Sequence, residues 1–335
     1  MSQEMRDIIL KQGDQIRHSL DVNKDVKVEG EFDSIVLAGM GGSGHPGDLL
    51  NALDLTTVPL TVHRSYSLPH IFGKKPLTII SSYSGNTEEA LSAYEDLPAE
   101  LAGAKKNQYT LANTSGGKLL ELAKRDNVPV SLIDYPGMQP RHTLFASFTG
   151  LVTALANSNL AQNISSELQK TADMIDAEVA GLEAPAKALA DTLKGKTPVF
   201  YAADIMGFAA KNMKIQTNEN AKTAAFWNEF PEFNHNEMVG MTNPQAVFHA
   251  VFLRTATDHP QVSVRMDVTK QMYEEWGVGV TEIAVKGETL LEQISYAVVF
   301  GLWLTHHLAL NYNTDPIPVK GVEDFKAKLK KIAER

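Results

Sequence analysis

Two short segments rich in glycine and hydroxyl side chains are the clearest candidates for chemistry in this chain. The first reads Gly39-Met-Gly-Gly-Ser-Gly44 and the second reads Ser82-Tyr-Ser-Gly-Asn-Thr87. Each follows an apolar, strand-like run and precedes a helical pattern, so each turn is expected to leave free backbone N–H groups at a helix N-terminus. The helix dipole favours an anion there, and glycine lets the backbone approach a ligand closely. The pair therefore predicts an anion-binding site.

The anion expected at these turns is a phosphomonoester. Neither segment has the lysine of a Walker A motif, which argues against a nucleoside triphosphate. The candidate contacts are backbone groups and side-chain hydroxyls of the two turns: Gly41, Gly42, Ser43, Ser82, Ser84 and Thr87. Ser43 and Thr87 have a second interpretation, because serine and threonine commonly cap helices. The adjoining glycine turns favour phosphate contact.

The composition favours a soluble cytoplasmic protein. The 335 residues suffice for two domains, and no window reaches the roughly 18 apolar residues that a membrane span needs. The first residues lack the basic-then-apolar order of a secretory signal, so we expect the cytoplasm. The chain has no cysteine, which excludes disulfides, thiolate metal sites and cysteine nucleophiles. The net charge of −9 argues against nucleic acid as a partner, so an anionic substrate must be attracted locally.

Strand-like and helix-like patterns alternate along the chain, as in βαβ units. Apolar runs predict strands near 34–39, 59–63, 77–82, 107–112, 128–133, 197–203, 246–254 and 280–285. Helices are predicted over 87–97, 117–125, 141–160, 165–194, 207–222, 289–310 and 322–333. Continuous apolar strands are typical of a parallel sheet covered on both faces. The sequence therefore predicts an α/β fold with two doubly wound halves, residues 1–160 and 161–335, and ligand sites at the carboxyl ends of the strands.

Five segments, in one order, resemble the bifunctional phosphoglucose/phosphomannose isomerases of the sugar isomerase (SIS) domain superfamily. Besides the two glycine turns, they are Pro140-Arg141, Asn218-Glu-Asn-Ala-Lys222 and Glu232-Phe-Asn-His-Asn236. The glycine turns are general among sugar-phosphate SIS domains, whereas the last two segments are typical of the bifunctional branch. The resemblance spans residue 34 to the last helix. It implies two flavodoxin-like SIS subdomains with parallel sheets, flanking helices and a C-terminal helix.

The resemblance also implies a reaction. Glucose 6-phosphate, and with it mannose 6-phosphate, would be interconverted with fructose 6-phosphate through a cis-enediolate, without cofactor or metal. Glu219 matches the base that carries the proton between the two carbons, and His235 matches the group that opens the ring. Arg141 matches the cation that stabilises the enediolate. The partner implied is a second copy of the chain, in a homodimer whose histidine reaches the neighbouring subunit's site.

Each of these residues has a simpler interpretation on spacing alone. Glu219 could pair with a lysine at helical spacing, and His235 could be a surface residue in a polar loop. Arg141 could pair with Asp134. The sequence has no cluster of histidines and carboxylates at metal-ligand spacing, which agrees with the expected absence of a metal.

A lysine of the final helix enters the pocket in the family, and the sequence offers two candidates. The segment Asp315-Pro-Ile-Pro-Val, followed by Phe325-Lys326, points to Lys326 as the match. Lys320 lies close enough to compete. The aromatic segment 223–231 is compatible with the pocket lining or with a dimer contact.

Two other functions compete with a glucose- and mannose-phosphate isomerase. Another SIS enzyme, such as a ketose-phosphate aldose isomerase or half of an amidosugar-phosphate synthase, is disfavoured because the chain has no cysteine for a glutaminase and no appended regulatory domain. A non-catalytic sugar-phosphate sensor normally carries a basic helix-turn-helix segment. The 33 residues before the first predicted strand are too few and too acidic for one.

Overall fold

The computed structural model describes residues 2–69, 73–96 and 106–333. Its strands are β1 (Ser34–Ala38), β2 (Leu60–His63), β3 (Pro76–Ser81), β4 (Thr110–Thr114), β5 (Val130–Leu132), β6 (Thr197–Ala203), β7 (Phe226–Phe230), β8 (Phe248–Arg254) and β9 (Gly279–Ala284). Its helices are α1 (Ser2–Leu10), α2 (Gln12–Val22), α3 (His45–Ala52), α4 (Glu88–Glu95), α5 (Lys106–Tyr109), α6 (Gly117–Arg125), α7 (Leu144–Asn157), α8 (Ser165–Glu178), α9 (Glu183–Leu193), α10 (Gly207–Asn220), α11 (Pro260–Glu275), α12 (Leu290–Asn311) and α13 (Lys320–Ala333).

The chain forms two compact units, and residues 11–173 are the N-terminal one. Its sheet has the strand order β2-β1-β3-β4-β5, and every neighbouring pair is parallel. All residues of β1 and β3 are buried, as the continuous apolar runs predict for strands covered on both faces. Helix α7 is buried along residues 144–155 and packs on α2 and α3.

The C-terminal unit contains residues 1–10 and 174–335. Its parallel sheet has the order β7-β6-β8-β9. Strand β7 lies at the edge beside β6, as β2 lies at the edge beside β1 in the N-terminal sheet. The long helix α12, buried along residues 291–306, packs against α1, α9 and α10. Aromatic side chains form much of the core beneath the sheet: Tyr201, Phe230, Phe233, Phe252 and Tyr273. The expected α/β fold of two doubly wound parallel sheets is confirmed.

The division into units differs from the expected boundary after residue 160. Helix α1 belongs to the C-terminal unit because Met5 and Ile9 are completely buried and Arg6 lies over the Trp303 ring of α12. The unit boundary falls within α8, after Asp173, whose carboxylate pairs with Arg17 at 2.6 Å. These contacts join distant parts of the chain, so local sequence patterns do not report them.

Several element boundaries also differ from the sequence prediction. The helix expected over 141–160 starts at α7, after the 3-10 turn Pro140–His142, and the one expected over 165–194 is two helices, α8 and α9. The strand expected over 107–112 is displaced to β4. The helix expected over 87–97 is α4, and residue 97 lies outside the described residues. Strand β7 and helix α11 were not predicted.

None of the helices within residues 2–69, 73–96 and 106–333 is both long enough and apolar enough to cross a bilayer.

Candidate active site

The two glycine turns leave adjacent strands of the N-terminal sheet at the same edge. The first follows β1 and the second follows β3, and these strands are hydrogen-bonded neighbours. After β1, the chain adds β2 on one side of this strand and then adds β3 and β4 on the other side. The sheet therefore has its topological switch point between β1 and β3. Open α/β sheets bind ligands outside the carboxyl ends of the strands at such a switch point.

The first glycine turn is a single 3-10 turn, Gly41–Ser43, with its backbone open to a ligand. Gly41 has φ +49°, a left-handed conformation that glycine adopts readily. Within the described part of the chain, the N–H groups of Gly41 and Gly42 donate no hydrogen bond. A Cβ atom on Gly42 would lie 3.2 Å from the Pro140 carbonyl carbon, so this turn packs directly against the turn that carries Arg141.

The second glycine turn is closed by contacts that only glycine permits. Gly85 has φ +66°, and a Cβ atom on it would lie 1.8 Å from the carbonyl oxygen of Gly116. Thr87 stands at the N-cap of α4, yet its side chain makes no capping hydrogen bond and instead accepts one from Ser82 Oγ at 3.0 Å. Ser84 is exposed at the rim of the turn. The N-terminus of α4 is therefore open as well.

Ser43 joins the two turns. Its Oγ accepts a hydrogen bond from the Tyr83 N–H at 3.0 Å, and its carbonyl oxygen accepts one from Ser81 Oγ at 2.6 Å. The Ser43 side chain does not cap α3, whose N-cap position is Gly44. Because Oγ is the acceptor in its bond to Tyr83, the hydroxyl hydrogen of Ser43 remains a donor for another group.

Two arginines lie beside the first glycine turn. Arg141, predicted from the sequence, is 3% exposed and donates to Gln139 Oε1 at 3.4 Å. Arg64, which the sequence analysis missed, follows β2 and reaches the Gly44 carbonyl oxygen at 3.4 Å and the Asp48 carboxylate at 2.6 Å. A basic residue immediately after the second strand was the available signal. The two arginines give the N-terminal unit positive charge beside the turn. A chain with a net charge of −9 needs such local cations to attract an anionic substrate.

The base predicted from the sequence lies in the other unit, in the last turn of α10. Glu219 is half-buried and lines a cavity of about 420 Å³. The other residues of that cavity come from the end of α10, the segment before α13 and the start of α13: Asn218, Lys222, Thr314, Asp315, Pro318, Val319, Lys320, Gly321 and Val322. The Lys222 ammonium donates to the carbonyl oxygens of Asn220, at 3.2 Å, and Asp315. It thereby ties the end of α10 to the segment that leads into α13.

The two candidate lysines of the last helix occupy different surroundings. Lys320, at the first position of α13, lines the Glu219 cavity. Lys326, further along α13, is exposed. The geometry favours Lys320 as the lysine near Glu219, and Lys326 remains a prediction.

His235 lies at the surface of the C-terminal unit. It ends the 3-10 turn Glu232–His235, which follows β7 and is anchored by the completely buried Phe233. Its side chain is exposed, and the described residues that line the Glu219 cavity do not include it. Within the described part of one chain, His235 and Glu219 therefore do not line the same cavity, and the expected role of His235 in a neighbouring subunit's site remains a prediction.

Metal ligands do not gather in the described part of the chain. Within residues 2–69, 73–96 and 106–333, no three His, Cys, Asp or Glu side chains form a group that could hold a metal ion. The adjacent His306 and His307 pack their rings 5.0 Å apart and both contact the Trp303 ring. Burial lowers the pKa of both imidazoles.

Comparisons with known proteins agree with the fold of two parallel sheets. Residues 182–329 match the family model for the bacterial phospho-glucose isomerase C-terminal SIS domain. A hypothetical protein of Thermus thermophilus, known from its crystal structure, superposes with a TM-score of 0.73, at 15% identity, over 97% of this chain and 89% of its own. That likeness concerns the fold alone. The family model identifies a sugar isomerase (SIS) domain within residues 182–329.

The sequence relatives narrow the class. The bifunctional phosphoglucose/phosphomannose isomerase of Caldicellulosiruptor bescii is 35% identical, over 96% of this chain and 97% of its own length. The protein of the same name from Aquifex aeolicus is 33% identical, over 93% and 94% of the two chains. This chain belongs to the bifunctional phosphoglucose/phosphomannose isomerase family.

Proposed function

We propose that this isomerase interconverts glucose 6-phosphate and mannose 6-phosphate with fructose 6-phosphate through a cis-enediolate. The observation that carries the proposal is the 35% identity to a bifunctional isomerase over 96% of the chain. The two open helix N-termini at the β1 and β3 edge support it, because a sugar 6-phosphate presents a dianion that such a site favours.

The phosphate group is proposed to bind at the two glycine turns. Backbone N–H groups of Gly41 and Gly42 and the hydroxyl groups of both turns are its donors: Ser43, Ser82, Ser84 and Thr87. The open N–H groups at Gly41 and Gly42 support this assignment. These contacts hold the substrate in the ground state and in the transition state about equally, so they contribute mainly to KM.

Glu219 is proposed as the base that carries the proton. In the opened aldose, the carboxylate takes the proton from C2, and the electron pair of the broken C–H bond moves into the enediolate. The resulting carboxylic acid returns the proton to C1 while the hydroxyl proton on O2 passes to O1, which gives the ketose. A half-buried position in a cavity supports this role, since the base must hold the proton without exchanging it freely with water.

Arg141 and His235 are proposed to assist the proton transfer. The buried guanidinium of Arg141 is a permanent cation that can stabilise the negative oxygen of the enediolate. His235 is proposed to open the sugar ring in the active site of a second copy of the chain, within a homodimer. Its exposed position and the 53% exposed Phe226 on the edge strand β7 support an interface there.

The reaction is proposed to need no metal or other cofactor and to take place in the cytoplasm. Arg141 and the proton transfers would perform the polarisation that zinc performs in zinc-dependent mannose-phosphate isomerases. A sugar phosphate is dianionic and does not cross a bilayer unaided, so its isomerase is expected where hexoses are phosphorylated.

A coupled assay with fructose 6-phosphate, read separately for glucose 6-phosphate and mannose 6-phosphate, tests the function. Both products are expected, before and after extensive dialysis against EDTA. Formation of only one of the two products would contradict the proposal that this isomerase acts on both glucose 6-phosphate and mannose 6-phosphate. Binding of fructose 6-phosphate without turnover would favour a sugar-phosphate sensor instead. Loss of activity on chelation that zinc restores would contradict the metal-independent mechanism.

A further inference from the structure

A chain of buried hydrogen bonds leads from the interior of the N-terminal unit to the first glycine turn. The Ser81 hydroxyl, at the end of β3, donates to the Ser43 carbonyl oxygen at 2.6 Å. Asn113 of β4 donates one amide hydrogen to Ser81 Oγ at 3.1 Å and the other to Ser147 Oγ of α7 at 2.9 Å. Ser81 and Asn113 are fully buried and Ser147 is 4% exposed. We call Ser81, Asn113 and Ser147 the Ser81 relay.

The direction of each bond in the Ser81 relay follows from the hydrogens available. A serine hydroxyl has one hydrogen, and that of Ser81 points at the Ser43 carbonyl, so Ser81 Oγ can only accept from Asn113. The Asn113 amide donates both of its hydrogens to serine hydroxyl oxygens, and its Oδ1 has no hydrogen-bond partner among the described residues. A buried oxygen without a partner is unfavourable, so this orientation is held by the two serines.

The Ser81 relay acts on the residue that joins the two turns. A Cβ atom on Gly39 would lie 2.9 Å from the carbonyl oxygens of both Ser43 and Ser81, so the turn folds back tightly on the end of β3. Ser43 receives one bond at its carbonyl oxygen from Ser81 and one at its Oγ from the Tyr83 N–H. These two bonds fix the peptide plane that follows Ser43 and the direction of its side chain together.

We propose that Ser81, Asn113 and Ser147 are positioning residues for the phosphate group of the substrate. They hold Ser43, and with it the N–H groups of Gly41 and Gly42, in the geometry that receives the dianion. This inference rests on the proposed function of the turn. Donors that are already held in place lose less freedom when a ligand binds, so the relay increases the affinity for phosphate. Since the phosphate does not change during the reaction, the relay acts on KM rather than on kcat.

The test compares Ser81→Ala with Ser131→Ala. Ser131 is a fully buried serine of β5, which lies two strands from β3 in the same sheet, and its Oγ has no partner among the described residues. For Ser81→Ala we expect KM for fructose 6-phosphate and Ki for inorganic phosphate to rise together by about 10-fold, with kcat within about twofold. Ser131→Ala is expected to leave all three values within about twofold, even where it lowers the melting temperature.

Ser147→Ala is the second variant, because it leaves Ser81 intact and removes only the far acceptor of Asn113. A rise in KM and Ki of about two- to threefold is expected, and this variant carries the test if Ser81→Ala does not fold. The inference is wrong if a folded relay variant matches Ser131→Ala in KM and Ki, or if kcat falls while KM and Ki stay constant.

A double variant, Ser43→Ala with Thr87→Val, separates the inference from the proposed function. If it raises KM while the relay variants do not, only the Ser81 relay is disproved. If KM stays unchanged in all of them, the first turn does not bind the phosphate, and the proposed site fails with the relay.

Discussion

The four strands of the C-terminal sheet follow the same order as the first four of the N-terminal sheet, but the two units differ in the charge that lies at the first helix N-terminus. In the N-terminal unit, Arg64 from the end of β2 lies over the glycine turn, with its guanidinium 3.0 Å from where a Cβ atom on Gly44 would be. In the C-terminal unit, β6 leads into the turn Asp204–Met206, and Glu229 of β7 covers the start of α10. Its Oε1 is 1.9 Å from where a Cβ atom on Gly207 would be.

This difference agrees with the proposed roles of the two units, phosphate binding in the N-terminal unit and proton transfer in the C-terminal unit. A cation beside open N–H groups favours a bound phosphate, and Arg64 keeps this place while it also pairs with Asp48 of α3. The carboxyl group of Glu229 instead lies beside the N-terminus of α10 and leaves less room for another anion there. The pKa of Glu229 is raised, chiefly by burial and then by the charge of Asp204. The C-terminal unit instead presents Glu219 at the opposite end of α10. Equal topology therefore does not imply equal chemistry, which resides in the loops and helix ends.

The largest expected effect is the loss of turnover in Glu219→Gln. Glutamine keeps the shape of the side chain but cannot take a proton, so kcat is expected to fall by about 10³-fold with substrate affinity retained. Glu275→Gln is the matched control, because Glu275 ends α11 as an exposed carboxylate. Steady-state kinetics and binding of fructose 6-phosphate check both. Normal turnover in Glu219→Gln would disprove its role and the division of tasks.

Acid is expected to destabilise the C-terminal unit through its buried imidazoles. Burial lowers the pKa of His249 and of His306 to about 4. Between pH 6.5, the pKa in an unfolded chain, and pH 4, the unfolded state binds protons that the folded state does not. The stability that each neutral imidazole contributes is thus complete above pH 6.5 and is lost as the pH falls towards 4, by about 3 kcal/mol for each.

Urea unfolding at pH 7, 5.5 and 4.5 measures this loss. His249→Gln removes one titrating group, so its free energy of unfolding should fall less between pH 7 and 4.5 than that of the parent chain. An identical pH dependence in the two proteins would show that His249 does not stay neutral in the fold.

The double variant Ser43→Ala with Thr87→Val is expected to raise KM for fructose 6-phosphate by about 30-fold while kcat changes less than about threefold. The reason is that both hydroxyls are proposed to bind the unreacting phosphate. Its control is Ser131→Ala with Thr110→Val, which removes two fully buried strand hydroxyls away from the turns. A collapse of kcat at constant KM would show that the N-terminal turns take part in the chemistry.

The smallest expected effect comes from changing the charged residue at the first helix N-terminus of each unit, Arg64 or Glu229. Arg64→Met should raise KM by about three- to fivefold at low salt and by less at 0.5 M salt, because screening weakens a partly exposed cation. Glu229→Gln should leave KM within about twofold, since the phosphate is not expected at α10. A KM that falls clearly in Glu229→Gln would place the phosphate near the C-terminal sheet.

Much of the fold could be predicted because long, continuous apolar strands and strongly periodic helices have local signatures. Strand β6 and helix α6 lie where the pattern predicted them. Helix α11 was missed because its residues 262–268 alternate apolar and polar side chains with the period of a strand. In the structure this segment is helical, with Val264 and Val268 half exposed. Strand β7 was missed because it is a five-residue edge strand whose aromatic residues are interrupted by Asn228 and Glu229, so it lacks the continuous apolar run of the predicted strands.

The candidate site was predictable where residue type alone carries the signal. Glycine and hydroxyl residues after two strands indicated the turns, and the structure shows both turns at one edge of the sheet. Arg64, the Ser81 relay and the position of Lys320 at the Glu219 cavity were not found. The Ser81 relay and the position of Lys320 depend on contacts between residues that are far apart in sequence, for which no short pattern exists. Arg64 had a local signal, its place directly after the second strand, but its contact with Gly44 is set by the packing.

The sequence by itself determined the chemistry available to this protein: two glycine turns with hydroxyl donors, a carboxylate at a helix end, no thiol and a family of isomerases. Only the tertiary structure decided that β1 and β3 are neighbours, that Ser43 is held from β3, and that α1 belongs to the C-terminal unit. The physical reason is that turn and helix preferences act over a few residues. Strand order and buried hydrogen bonds are selected by the packing of the whole unit.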